Sequence, residues 1–188
     1  MVSYEPSSLE ILFSVITGQL LAAVYRDYID RLNLHGNERV MDFGSGGGTL
    51  ARIVAERLLV GGGTLTCVDI SERWMRLLQR RLKHFPNVRY YHLGHFSELS
   101  PSAQSQDIVL VHFVLHLIPP EERDDVMRHL AGQLIRNGRL CVREPTAQIS
   151  LEEIDRHAMA AHLVQIEAAI SRMPLMGETY EVVYCKPV

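Results

Sequence analysis

The sequence predicts an α/β fold, a mostly parallel sheet with helices on both faces, and three observations carry that expectation. A short apolar strand, Val40 to Phe43, runs into a turn of Gly44, Gly46, Gly47 and Gly48, and Leu50, Ile53, Val54 and Leu58 then recur at helical spacing. A second strand, Thr64 to Val68, ends on Asp69. Farther on, Asp107 to His112 encloses an unbroken apolar run, the pattern of a central strand buried on both faces. Strands and helices alternating in this way form βαβ units, whose right-handed crossovers put the helices on both faces of a parallel sheet.

The elements follow in order. Residues 7–34 read as an N-terminal helix, opened by Pro6 and the capping box Ser7-x-x-Glu10. Its first half has few polar positions, so both sides need cover: from the sheet domain, from a roof over a ligand, or from a second copy of the chain. The helix after the glycine turn stops at Gly61-Gly62-Gly63, and Ser71 is the N-cap of the next, with Met75, Leu78 and Leu82 as its buried stripe. Pro86-Asn87 turns into a strand over Val88 to His92. Pro119, Pro120, Glu121 and Glu122 open a helix expected to reach about Arg136. Asn137-Gly138 then supplies a left-handed turn before a strand from Arg139 to Glu144. Leu151 to Ala161 is helical, whereas Val164, Ile166, Ala168 and Ile170 alternate with period two, which favours a strand over a continued helix. A last strand from Thr179 to Lys186 closes an antiparallel hairpin.

A chain of 188 residues fits one domain, 1–188, with 7–34 as a possible lid or interface element and 37–188 as its core. Hydrophobic residues make up 47% and charged residues 22%, which suits a globular enzyme and excludes a disordered chain. A net charge of −3 gives no general attraction to DNA. Cys67, Cys141 and Cys185 lie far apart in strand-like runs, so they read as buried thiols in a reducing compartment, without a metal or disulfide pattern. No run reaches the roughly 18 apolar residues of a membrane span, and the start lacks the basic residues of a secretory signal. The expected location is the cytoplasm.

The glycine turn selects the ligand class. A dinucleotide fingerprint G-x-G-x-x-G needs glycine where Thr49 stands. The pattern is instead Asp42-x-Gly44-x-Gly46-x-Gly48 with Asp69 at the end of the next strand, and it resembles the first motif of class I S-adenosylmethionine-dependent methyltransferases. The stretch Asp107 to Arg123 is similar to the fourth-strand region of small-molecule methyltransferases, and Leu134 to Leu140 resembles the family's Leu-Lys-Pro-Gly-Gly-Arg-Leu turn, with Arg136 and Asn137 in place of proline and the first glycine. The resemblance covers about residues 35–145. It implies a single Rossmann-like domain with a seven-stranded, mostly parallel sheet and an antiparallel last strand. It implies S-adenosylmethionine as cofactor and S-adenosylhomocysteine as product. Asp42, Gly44, Ser45, Gly46, Asp69 and Ile70 would contact the cofactor or set its loop, with Asp69 taking the ribose hydroxyls, as a carboxylate can. Where many relatives have Gly-Asp after the third strand, this chain has Gly94-His95, so the adenine end would fall to Gly94, His95 and Phe96.

Methyl transfer asks little chemistry of the protein beyond in-line approach and a water-poor pocket, but an acceptor that carries a proton needs a base. His112 and His116 stand at the carboxyl end of the fourth strand, where open α/β sheets bind ligands, and either is a candidate base; His112 also lies toward the methionine end of the cofactor. Their four-residue spacing also fits a metal pair, but no third ligand with matching spacing follows. Glu144 opens onto the same region and is a candidate for gripping an amine, or for bonding the turn at Pro145-Thr146. The expected partner is a small-molecule substrate, with a possible homodimer through the N-terminal helix. Two alternatives stay open: a non-catalytic interaction protein of the same fold and, less favoured by Thr49, a nicotinamide-dependent oxidoreductase.

Overall fold

The computed structural model describes residues 5–95, 98–99 and 105–188. Contacts cluster into two compact units, residues 1–95 and residues 96–188.

In the first unit, α1 (Ser8–Leu20) and α2 (Ala22–Arg31) precede β1 (Arg39–Phe43), α3 (Thr49–Gly61), β2 (Thr64–Asp69), α4 (Glu72–Leu82) and β3 (Val88–His92). Parallel pairing aligns Phe43 with Val68 and Asp69 with His92, so the three carboxyl ends lie side by side. Val40 and Leu65 of the strands and Val54, Leu58 and Leu78 of the crossover helices are fully buried.

The capping box is present: Ser7 Oγ accepts from the Glu10 amide and the Glu10 carboxylate accepts from the Ser7 amide. The single helix expected over 7–34 is instead two, bent by 66° at Leu21. Thr17 and Gly18 weaken the turn before the bend: Thr17 Oγ1 donates back to the Phe13 carbonyl at 2.7 Å, a contact that bends helices. Gly18 is buried against α3, where a Cβ would stand 2.2 Å from Thr49 Oγ1, so only glycine permits that approach. The cover expected on both sides of α1 is present on one: Leu9, Leu12, Phe13, Ile16 and Leu20 remain exposed.

In the second unit, β4 (Gln106–His112) is followed by 3₁₀ turns at Leu115–Leu117 and Pro120–Glu122, α5 (Arg123–Gln133), β5 (Leu134–Pro145), α6 (Leu151–Ala160), β6 (Val164–Met173) and β7 (Gly177–Cys185). Ile108 to Val111 are at most 2% exposed, as the apolar run demands. α5 stops at Gln133 rather than near Arg136, because Leu134 already pairs with Gln106, and Lys186 Nζ takes the Ala131 and Leu134 carbonyls. Asn137 does adopt the left-handed conformation, at φ 61°, as an irregularity within β5. The period-two stretch is the strand β6, and the hairpin it forms with β7 is antiparallel.

The seven strands form one sheet in the order β3-β2-β1-β4-β5-β7-β6, mostly parallel, with β7 antiparallel to both neighbours. Among the described residues no single helix is long and apolar enough to cross a membrane. Cys67 and Cys141 are buried free thiols, while Cys185 is only half-buried.

Candidate functional site

The first cluster is built by the turn between β1 and α3. Gly44, Gly46 and Gly48 all take left-handed φ values, 74°, 50° and 77°. At Gly46 this conformation aims the amide at Asp69, whose Oδ2 accepts it at 2.8 Å. Oδ1 of Asp69 accepts the Ser71 amide at 2.9 Å, and the Ile70 amide also bonds the carboxylate, so it is fixed at the end of β2. Burial pushes the Asp69 carboxyl above the usual range, and the Ser71 and Gly46 amides oppose that shift. Ser45 turns inward: its Oγ donates to the Asp42 carbonyl at 2.7 Å and accepts the Val68 amide at 3.2 Å, which sets the loop.

Asp42 is 2% exposed, and its Oδ2 has no hydrogen-bond partner among the described residues. Burial, helped by the nearby Asp69 charge and opposed by Ser45, pushes its carboxyl up to about 7. The Leu93 amide bonds the Asp69 carbonyl at 3.1 Å, which brings the chain that continues into Gly94 and His95 beside the end of β2. Ile70 is half-buried next to Asp69. Phe96 lies outside the described residues.

Sequence reasoning missed Glu5. Its carboxylate accepts from Ser71 Oγ at 2.9 Å and from the Glu72 and Arg73 amides at 2.9 and 3.2 Å, capping α4 directly after Asp69. Burial opposes its ionisation, but these donors outweigh it and hold the carboxyl below the usual range. α1 then crosses the glycine turn, where a Cβ on Gly47 would stand 2.9 Å from Ser14 Oγ.

The second cluster stands at the carboxyl ends of β4 and β5. Phe113 carries φ 58°, an uncommon conformation for a bulky residue and one that collects at functional sites. Its amide donates to the Arg143 carbonyl at 2.9 Å, and the Arg143 guanidinium lies 5.9 Å from its ring centroid. His112 is half-buried as a residue, but its Nε2 is fully enclosed. Burial, together with the Arg143 charge, pushes its imidazole down to about 3, so it stays neutral around pH 7.

Glu144 has no exposed side-chain surface, and its two oxygens divide the work. Oε1 accepts the Val114 and Leu115 amides at 2.9 and 2.7 Å, and Oε2 meets His116 Nδ1 at 2.5 Å. Its partners are therefore the turn after β4, not the turn at Pro145-Thr146. A carboxylate can only accept, so Nδ1 of His116 carries a proton and Nε2 is the ring nitrogen left for another partner. The His116 side chain is 14% exposed. Among the described residues no cluster of His, Cys, Asp and Glu suits a metal ion.

A model of a family described as "Methyltransferase domain" matches residues 40–138. The chain belongs to the methyltransferase-domain family. The seven-stranded fold agrees with the resemblance to class I S-adenosylmethionine-dependent methyltransferases drawn from Asp42 to Gly48 and Asp69. A curated relative, an uncharacterised methyltransferase of Staphylococcus carnosus, is 26% identical over 118 residues, 63% of this chain and 52% of that protein. The chain thus spans about half the length of the curated relative it matches.

Solved structures with a similar fold include a TehB-like S-adenosylmethionine-dependent methyltransferase from Corynebacterium glutamicum, with TM-score 0.75, 16% identity and coverage of 96% of this chain and 100% of that one. Another is the 1,6-didemethyltoxoflavin N1-methyltransferase of Burkholderia thailandensis with S-adenosylhomocysteine bound, at TM-score 0.69, 18% identity and coverage of 98% and 93%. A third is the magnesium protoporphyrin IX methyltransferase of Synechocystis PCC 6803 with S-adenosylmethionine bound, at TM-score 0.67, 18% identity and coverage of 97% and 86%. The methyltransferase-family match takes in the glycine turn, Asp69 and His116 but stops before Glu144.

Proposed function

We propose that this chain transfers a methyl group from S-adenosylmethionine to a small molecule, with residues 1–188 acting as one methyltransferase domain. The observation that carries the proposal is the glycine turn closed onto Asp69 through the Gly46 amide, in a chain of the methyltransferase-domain family. The residues present fit the cofactor. Asp69 is held at the end of β2 as an acceptor for a pair of ribose hydroxyls, and the unpartnered, buried Oδ2 of Asp42 is a polar atom left for the cofactor to meet. Gly44, Ser45, Gly46 and Ile70 shape the same wall, and Gly94 and His95 extend it toward the adenine. When bound, the cofactor supplies a methyl group made electrophilic by its sulfonium. Two structural neighbours are named for small-molecule acceptors, a toxoflavin precursor and a magnesium porphyrin, which supports that substrate class.

His116 is the base in this proposal, not His112. A base works best when its pKa is near the working pH, and His112, pushed down to about 3, holds a proton too weakly. His116 has its Nδ1 proton held by Glu144 and takes the acceptor's proton at Nε2. His112 serves instead as a neutral hydrogen-bonding group.

Two finer points belong to the same reading. The protein works in the cytoplasm, which its three free thiols support. The exposed face of α1, Leu9, Leu12, Phe13, Ile16 and Leu20, meets a second copy of the chain.

The test is transfer of labelled methyl from S-adenosylmethionine into a small-molecule extract. Wild type labels at least one acceptor. His116→Ala loses roughly 10²- to 10⁴-fold in rate while S-adenosylhomocysteine affinity is retained. No label with wild type removes the enzymatic reading, and full turnover by His116→Ala removes the base.

A further inference from the structure

Arg123 opens α5 five residues after Ile118, is 7% exposed, and uses its guanidinium in three directions. Nε donates to the Ile118 carbonyl at 2.9 Å, Nη2 to the His116 carbonyl at 3.3 Å, and Nη1 to Glu153 Oε1 of α6. Glu144 already holds the amide side of the same turn through Val114 and Leu115. Residues 114–118 are thus gripped on their amides by a buried carboxylate and on their carbonyls by a buried guanidinium. Nearby, His157 Nδ1 bonds Asp124 Oδ1 at 2.6 Å, while its Nε2 lies 3.6 Å from Glu153 Oε1, too far for a hydrogen bond.

We infer that Arg123 is a positioning residue for His116, fixing the turn that carries the imidazole so that Nδ1 stays on Glu144 and Nε2 stays presented to the substrate. This rests on the assignment of His116 as base and adds the residue that holds it. Two of the three arms of Arg123 end on carbonyls of the His116 turn, one of them the carbonyl of His116 itself. The guanidinium fork spans two carbonyls and a carboxylate at once, which the point charge of lysine does not reproduce. Small misplacements of a reacting group are expensive in rate, so a grip of this kind bears on catalysis as well as on folding.

The experiment is ¹⁵N-edited histidine NMR of the full chain at neutral pH, recorded for wild type, Arg123→Lys and Glu153→Gln, with a thermal melt of each. In wild type the neutral form of the His116 ring is expected to be one tautomer, protonated at Nδ1. Arg123→Lys is expected to lower the ratio of that tautomer to the Nε2–H form by roughly tenfold, the scale of one charge-assisted hydrogen bond. Glu153→Gln leaves both carbonyl bonds and shifts the ratio in the same direction by less; it decides the matter alone if Arg123→Lys does not fold. A purely structural arginine would lower the melting temperature and leave the tautomer as in wild type, which overturns the inference and leaves His116 as the base. A wild-type ring protonated at Nε2 overturns the base assignment itself.

Discussion

Asp42 is a carboxyl kept neutral by its surroundings, and stability should carry its signature. Burial lifts it from 3.8 to about 7, so between those values the folded chain holds a proton that the unfolded chain releases. Stability from this group is full below about pH 4 and is lost as pH rises through about 7, by roughly 4 kcal/mol at most. His112 runs the other way: its imidazole falls from 6.5 to about 3, so its share of stability is full above about 6.5 and is lost as pH falls. The two slopes oppose each other between about pH 4 and 6.5. Asp42→Asn should therefore gain stability over wild type progressively from pH 4 to 8 in urea melts; a constant difference would contradict an Asp42 that is neutral at low pH and strained when ionised. The acids and glycines of the first motif were legible because local spacing defines them. Glu5 and Arg123 were not, and Glu144 was singled out without its partner, because these roles depend on residues far along the chain, 66 residues away for Glu5 with Ser71 and 28 for Glu144 with His116.

Helices and strands were readable wherever local pattern and tertiary pairing agree. The periodicity of β1, β2, β3 and β4, the Ser71 cap and the alternation in β6 all gave elements in place, because nothing in the packing competes with them. Two boundaries differ for tertiary reasons. α5 yields Leu134 to the sheet and its last carbonyls to Lys186, and the N-terminal helix breaks where Gly18 seats on Thr49. That break leaves α1 lying over the glycine turn on one side with five large apolar side chains exposed on the other. Under the proposed self-association, a Leu12→Lys/Phe13→Lys variant should elute as a monomer in light-scattering chromatography where wild type elutes as a dimer. Identical masses for the two would remove α1 as the interface.

Taken as one chain, the protein joins a family fold to a site whose parts have unequal visibility. The seven-stranded, mostly parallel sheet, its antiparallel last strand and the placement of Asp69 at a strand end follow from a resemblance resting on a few ordered motifs, and the family match confirms the class. The grip on His116 joins Arg123, inside the matched stretch, to Glu144, outside it. Everything proposed about catalysis depends first on the cofactor. Calorimetric titration of the purified chain with S-adenosylmethionine, S-adenosylhomocysteine and NADH, repeated on Asp69→Ala, tests that dependence directly. The account predicts micromolar binding of both adenosyl ligands, no binding of NADH, and at least tenfold weaker adenosyl binding by a variant that still melts cooperatively. Equal affinity in Asp69→Ala, or binding of NADH in place of the adenosyl ligands, would contradict it.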